Sequence, residues 1–381
     1  RLMPKAGIYI HIPFCTVKCM YCDFYTVADK EDAIPTFFKA LIKEIELCKL
    51  DTSDWIIDTI FIGGGTPSLT QPDQLEKVIQ ALKNKFNLSN VTEFTLEANP
   101  GEAPAARLKA FHDLGINRLS IGVQSLEPDL LQFLTRNHGP DEVIQTIEIA
   151  RMTGFENINC DLIFNIPGQS LEIWQRDLMR VLDMGPEHIS CYSLTVEEGT
   201  KLYQYVNRKE VTMPNEDQSA EFYQCAQTTM QESGFEQYEI SNWGKPEKYC
   251  QHNIHYWEID PYLAFGPSAH GYDGVHRFAN VRNLDSYIKM LGEGELPRQD
   301  IYELSDIDRT NEMIGFGLRI KNGINLNQIP KSYLNMVNES IERNQSKWGD
   351  YYILGGNRLK LTPQGFVFAD TIAVDLMIPV P

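Results

Sequence analysis

The sequence predicts an α/β protein: a partial, laterally open (β/α)6 barrel followed by a smaller C-terminal α+β domain of winged-helix-like character. Three observations lead there. Apolar runs of period two alternate with runs of helical period through about residue 200. The residue types that carry chemistry fall in or just after the period-two runs. From about residue 300 the pattern changes character. Strands alternating with helices pair in parallel through right-handed crossovers, and six such units fall short of the eight of a closed barrel.

Ile8, Ile10 and Ile12 alternate with Tyr9 and His11, so residues 7–12 read as the first strand, ended by Pro13. A cysteine-bearing loop follows. Ile34, Phe37, Phe38, Leu41, Ile42 and Ile45 then repeat at helical spacing. Residues 55–62 form a second strand leading into Gly63-Gly64-Gly65-Thr66-Pro67-Ser68, and residues 71–86 a helix. Strands at 93–97, 118–122, 157–164 and 188–194 alternate with helices near 103–114, 128–134, 141–152 and 171–184.

Beyond Thr195 the regularity fades. A helix near 217–233 and a short strand at 238–240 precede an irregular, aromatic-rich stretch from 243 to 278. Ser305 and Asp308 can cap a helix running to about 318. A helix near 332–344, a hairpin over 352–361 turning on Gly355-Gly356-Asn357, and a terminal helix from Thr362-Pro363 complete the chain. The expected segments are a barrel over 1–200, an extension over 201–299, and a terminal domain over 300–381.

The stretch 9–23, YIHIPFCTVKCMYCD, organises the barrel. Cys15, Cys19 and Cys22 stand as C-x3-C-x2-C within one short loop. A loop this short has no apolar reason to collect sulfur, so the thiolates share a metal. A structural zinc site wants four closed protein ligands, whereas a [4Fe–4S] cluster held by three thiolates keeps one iron open to a chelating molecule. The competing readings are a zinc site completed by His11 or a distant cysteine, and disulfides. Zinc ribbons carry paired C-x2-C motifs, and the cluster is the better fit.

The 381 residues are 43% hydrophobic and 23% charged, as in ordinary globular proteins. There is no run of eighteen apolar residues and no signal-peptide pattern, so a cytoplasmic protein is expected. Eight cysteines are too few for a disulfide scaffold. Cys48, Cys160 and Cys191 lie in apolar patterns and read as core residues. A net charge of −18 argues against nucleic-acid binding, also for the terminal domain.

Other constellations gather near the cysteines. Gly64 and Gly65 allow backbone to approach a ligand closely. Glu97 ends the third strand, Gln124 follows the fourth, and Asp161 lies within the fifth. A carboxylate in an apolar strand is costly unless paired. A structural ion pair is one reading; a shared polar ligand, with Arg136 to neutralise its carboxylate, is the favoured one. His252, Asn253, Tyr256 and Trp257 fall in CQHNIHYW. Composition favours packed aromatics with a hydrogen-bonded histidine there, over a porphyrin site.

The cysteine spacing resembles the radical S-adenosylmethionine (SAM) superfamily. That resemblance implies an open iron chelated by the amino and carboxylate groups of SAM. It also implies an electron from the cluster that breaks a sulfonium C–S bond to give a 5′-deoxyadenosyl radical, with the protein orienting and shielding the cofactor. YIHIPFC, GGGTPS, EANP, GINRLSIGVQS, DLIFNIPGQ, YEISNW and HNIHYW together resemble the heme chaperone family HemW, a branch of the oxygen-independent coproporphyrinogen III oxidase family. The resemblance covers about residues 7 to 290.

It implies Cys15, Cys19 and Cys22 as cluster ligands. It implies SAM contacts at Tyr9, Tyr21, Gly64, Gly65, Thr66, Glu97, Gln124, Arg136 and Asp161, and at the backbone of Thr195. It places a heme motif on His252, Asn253, Tyr256 and Trp257, with His252 as iron ligand, and so reverses the weighing of that stretch. The true oxidase looks like C-x3-C-x2-C-x-C; here Phe24 stands at the last position, and the longer leading segment is nearly absent. The implied function is heme binding and delivery to an acceptor protein, with an electron donor and with peripheral membrane contact through the acceptor. The alternative is SAM-dependent oxidative decarboxylation of coproporphyrinogen III to protoporphyrinogen IX, a coproporphyrinogen dehydrogenase-type oxidoreductase of porphyrin biosynthesis. An iron–sulfur radical enzyme acting on another substrate is a third.

Overall fold

The structure, a computed structural model, describes residues 3–380. The outermost bounds of the first and last expected segments, residues 1 and 381, lie outside the described residues. The β/α part runs β1 (Lys5–Ile12), α1 (Ile34–Leu47), β2 (Ile56–Gly64), α2 (Pro72–Lys85), β3 (Glu93–Ala98), α3 (Ala105–Asp113), β4 (Arg118–Gln124), α4 (Pro128–Phe133), α5 (Pro140–Met152), β5 (Ile158–Phe164), α6 (Leu171–Asp183) and β6 (His188–Ser193). Then come α7 (Lys201–Asn207), α8 (Glu216–Glu232), β7 (Glu236–Gln237), β8 (Asn242–Gly244), α9 (Gln251–Glu258), β9 (Tyr262–Phe265), β10 (His270–Tyr272), β11 (His276–Asn280), α10 (Leu284–Gly292) and β12 (Arg298–Glu303). The terminal part holds α11 (Asp306–Gly317), β13 (Ile324–Asn325), α12 (Lys331–Trp348), β14 (Tyr352–Gly355), β15 (Arg358–Leu361) and α13 (Ala369–Leu376).

β1 to β6 pair in parallel, in sequence order. The period-two reading of β1 holds: Ile8, Ile10 and Ile12 are buried in the main core, while Tyr9 and His11 face the barrel interior. The helices start where local chemistry directs them. Proline stands in the first turn of α1, α2, α4 and α5, and the Ser170 hydroxyl accepts from the Ile173 amide at the start of α6.

The sheet does not stop at β6. β8 and β7 continue it antiparallel on one edge, and β9 pairs parallel with β1 on the other, followed by β10, β11 and β12. This corrects the expected irregular stretch over 243–278, which holds α9, β9 and β10 with parts of β8 and β11. It also corrects the expected strand at 238–240: the strands flank it, and Glu239 makes only an isolated bridge to Ile320.

The terminal part has its own core, including Ile314, Ile341, Leu359 and Ile372. Its small sheet runs β13-β15-β14. The capping box of Ser305 and Asp308 starts α11 as expected. The β14–β15 hairpin turns on Gly356 and Asn357, both at positive φ, as a type I′ turn requires. The terminal helix starts later than Thr362-Pro363, at Ala369. Among the described residues, no helix is long and apolar enough to cross a membrane.

Candidate cofactor and ligand site

One cavity of about 960 Å³ runs through the barrel. All three cysteines of the loop line it, and so does every residue expected to contact SAM or heme, from Tyr9 to Trp257. Its mouth lies at the C-terminal ends of the parallel strands. Its floor lies at their N-terminal ends, where α9 packs.

At the mouth, the cysteine loop leaves β1 and docks on the glycine run that ends β2. The Gly65 amide donates to the Ile12 carbonyl at 2.8 Å, and the Thr66 amide to the Phe14 carbonyl at 2.7 Å. A Cβ on Gly65 would sit 2.5 Å from the Phe14 carbonyl oxygen, and Gly64 has φ +116. Both positions therefore require glycine. The Thr66 hydroxyl donates to Cys15 Sγ at 3.7 Å, and Arg136 Nη1 to Cys19 Sγ at 3.6 Å.

Asn99 ties this rim together. Its amide nitrogen donates to Thr66 Oγ1 at 2.9 Å, and its oxygen accepts from Arg136 Nη2 at 2.7 Å. Asn99 lies in the EANP motif, but no spacing rule marked it as a bridge.

Among the described residues, no three metal-ligating side chains converge on one point that a single ion could fill. A closed zinc site needs such a point; a four-iron cluster takes one thiolate on each of three irons. His11 cannot complete a zinc site, because its Nδ1 bonds the Tyr9 hydroxyl at 2.9 Å and its Nε2 the Tyr25 carbonyl at 2.7 Å. All eight cysteines are unpaired. The donor set thus fits the cluster better than zinc or disulfides.

The middle of the cavity holds the carboxylates. Glu97 Oε2 accepts from the Gly64 amide at 3.0 Å. Burial pushes its carboxyl up to about 7, and the charge of Asp161 adds to the shift. Asp161 accepts from Asn159 at 2.8 Å and Ser120 at 3.3 Å, and burial raises it too. Neither has an ion-pair partner within 4 Å among the described residues, so the structural ion-pair reading of Glu97 and Asp161 is not met. Gln124 ends β4 at φ +67, an unfavourable backbone for glutamine. Its Oε1 is buried with no hydrogen-bond partner among the described residues. A strained residue holding an orphaned acceptor into a cavity fits a missing polar ligand.

At the floor, α9 is pinned at both ends. Glu93, at the start of β3, accepts from the amides of Gln251 at 2.8 Å and His252 at 2.9 Å, a carboxylate at a helix N-terminus. His255 bridges Asp58 at 2.6 Å and Asp260 at 2.8 Å. Burial works to lower His255, but the two carboxylates together outweigh it and raise it to about 9.

His252 is fully buried, with Nδ1 bonded to Thr59 Oγ1 and Nε2 to the Tyr256 hydroxyl, each at 2.8 Å. Phe61 stacks on the ring at 5.3 Å. The residue expected to ligate iron therefore has no free nitrogen in this conformation. Burial also holds it well below the usual histidine range, so it is neutral.

Phe24 lies on the cavity rim, 71% exposed. Sequence reasoning overlooked several lining residues: Arg118, Tyr192, His270, Arg277, Arg282 and Phe316. Arg118 lay in a quoted motif, whereas the others are isolated residues without local signal.

A family model described as the radical SAM superfamily matches residues 9–180. The heme chaperone HemW of Bacillus subtilis is 37% identical over 326 residues, spanning 85% of this chain and 86% of that protein. The mitochondrial radical S-adenosyl methionine domain-containing protein 1 of Danio rerio is 35% identical, spanning 98% of this chain and 87% of its own. In fold, the chain resembles coproporphyrinogen III oxidase HemN from Escherichia coli, a radical SAM enzyme, with a TM-score of 0.84 at 19% identity over 99% of this chain and 91% of that one. The fold is that of a radical SAM protein, whose cofactors are a [4Fe–4S] cluster and SAM. The chain belongs to the HemW family within that superfamily.

Proposed function

We propose that the protein binds heme and hands it to an acceptor protein, using a cavity that also holds the cluster and SAM. The carrying observation is that cavity: about 960 Å³, lined by the three loop cysteines at one end and by Tyr256 and Trp257 at the other. It stands at the upper end of the size range of ligand pockets. The relatives named as heme chaperones support the reading.

In this reading Cys15, Cys19 and Cys22 hold the cluster, which supplies the electron that reduces SAM. Gly64, Gly65 and Thr66 form the cradle for the methionine end of SAM. Glu97 faces its amino group and Arg136, beside Cys19, its carboxylate. Gln124 and Asp161 offer acceptors to polar groups further in, with Tyr9, Tyr21 and the Thr195 backbone along the walls. Asn253, Tyr256 and Trp257 line the part of the cavity nearest the floor. The acceptor and the electron donor are other proteins, met in the cytoplasm; unpaired thiols in a cluster-binding loop require a reducing compartment. The acceptor, where membrane-bound, brings peripheral membrane contact.

The test is anaerobic reconstitution with iron and sulfide, then a heme titration followed by absorbance. A parallel assay supplies coproporphyrinogen III, SAM and a reductant. Stoichiometric heme uptake without protoporphyrinogen supports the chaperone. Protoporphyrinogen formation without heme uptake would make the protein an oxidase that works with Phe24 in place of the further cysteine.

A further inference from the structure

We propose that Arg118, at the floor of the barrel cavity, receives a carboxylate of the bound heme. The inference rests on the heme-binding reading above and says which edge of the ligand goes down.

Arg118 opens β4, and its side chain turns into the barrel. Ser120, Gly122 and Gln124 line the same cavity at every second position, as the pleat of the strand requires. A guanidinium keeps its charge at any pH a folded protein meets. Burying such a charge without a partner is among the costliest arrangements in a folded chain. Arg118 is 2% exposed, yet no carboxylate lies within 4 Å of it among the described residues. Its Nε is buried with no hydrogen-bond partner, and the guanidinium donates to no other group among the described residues. Arg136 shows the contrast. That half-buried arginine donates to Asn99 and to the Gly122 carbonyl, each at 2.7 Å, and to Cys19 Sγ.

The groups around Arg118 are already engaged or uncharged. Glu93 accepts from the amides of Gln251 and His252 and from Cys250 Sγ at 3.6 Å. Asp161 accepts from Asn159 and Ser120. Cys250 and Tyr238 also lie close to Arg118, and both keep their protons at neutral pH: burial pushes the thiol up to about 12 and the phenol well above its ordinary range. The charge of Arg118 reaches Glu97, Asp161 and His252, whose own shifts come first from burial. Arg118 therefore stands between the carboxylates in the middle of the cavity and α9 at its floor.

The partner that fits is an anion entering from the cavity, and a planar carboxylate matches the fork of a guanidinium. SAM and heme both carry one. The SAM carboxylate is met at the mouth, by Arg136 beside Cys19. Arg118 lies at the opposite end of β4, and the strand from Arg118 to Gln124 spans about 20 Å. A carboxylate at the floor therefore belongs to heme, whose carboxylates hang from one edge of the ring on flexible arms.

The test compares wild type with Arg118→Met, which keeps the bulk and drops the charge, in the reconstituted full chain. Heme and its dimethyl ester, in which both carboxylates are capped, are titrated and followed by absorbance. SAM is titrated by calorimetry, and the unloaded chain is unfolded in denaturant. Wild type is expected to prefer heme over the ester by about tenfold or more, the worth of a hydrogen bond to a charged group. Arg118→Met should lose that preference and bind SAM as wild type does. It should unfold at the same denaturant concentration or higher, because it removes an unpaired buried charge. An Arg118→Met chain that unfolds earlier would make Arg118 a structural partner of Glu93 and overturn the proposal. A preference for heme that survives the substitution overturns it too, and so does a loss of SAM binding alone, which would give Arg118 the SAM carboxylate. A wild type that binds heme and ester equally overturns the proposal and leaves the chaperone reading standing. A wild type that takes up no heme overturns both.

Discussion

The mouth and the floor of the barrel cavity are built from similar side chains and treat them in opposite ways. At the floor, His252, His255 and the first amides of α9 all have partners, supplied by Thr59, Tyr256, Asp58, Asp260 and Glu93. Further up, among the described residues, Gln124 Oε1 is buried without a partner, Glu97 and Asp161 interact with no ion-pair partner within 4 Å, and three thiols share one loop. Buried polar groups are expensive to leave unmet. Satisfaction marks the Thr59–His252–Tyr256 and Asp58–His255–Asp260 chains as structure, and the orphaned Gln124 Oε1 and, on α9, Trp257 Nε1 mark the groups that face ligand space.

The largest effect that sharpens this contrast comes from the cysteine loop. Cys19→Ala should abolish the visible absorbance of the reconstituted cluster while leaving thermal unfolding of the unreconstituted chain within about 0.5 kcal/mol of wild type. A floor substitution should do the reverse. Glu93→Ala strips two buried backbone amides of their acceptor and should cost about 2–4 kcal/mol in denaturant unfolding, with the cluster still able to form. Equal damage to stability from both variants would erase the distinction.

Smaller effects follow. Gly65→Ala pushes a Cβ against the Phe14 carbonyl and should cost about 1–3 kcal/mol by overpacking, with weaker SAM binding measured by calorimetry. Glu97, held up at about 7, is mostly protonated at pH 6. The ionised form suits a cationic amino group, so SAM affinity should rise as pH rises through about 7, by up to about tenfold per pH unit below it. Glu97→Gln should flatten that profile.

The smallest effect concerns His255. Its folded value of about 9 lies above the ordinary 6.5. The stability it contributes is therefore fully present below about 6.5 and is lost as pH rises through about 9. The melting temperature of wild type should fall over that window more than that of His255→Asn. A larger fall in the variant would show that the carboxylate bridge does not hold α9.

How much of this was legible in the sequence follows the range of the interactions. Strands β1 to β6 and the cysteine loop were readable because their signals are local: period-two isoleucines, a fixed thiol spacing, a glycine run after a strand. The helix α9 was not. QHNIHYWE has little apolar periodicity, and the helix is held by Glu93, 158 residues away from Gln251 in the chain. β9 was hidden for the same reason, because its four residues gain their place by pairing with β1 at the other end of the barrel. The residues that the resemblance marked as SAM contacts all line one cavity. It could not tell that the nitrogens of His252 are taken, since hydrogen-bond occupancy is a property of the fold.

The most direct measurement is amide hydrogen exchange of the reconstituted protein with and without SAM and heme. Residues 15–27 and 63–66 should gain protection on ligand binding, while the amides of α9 held by Glu93 stay protected throughout. Exchange in α9 that speeds up when heme binds would mean that His252 leaves Thr59 and Tyr256 to reach the iron, and the reading of the Thr59–His252–Tyr256 chain as structure would be wrong.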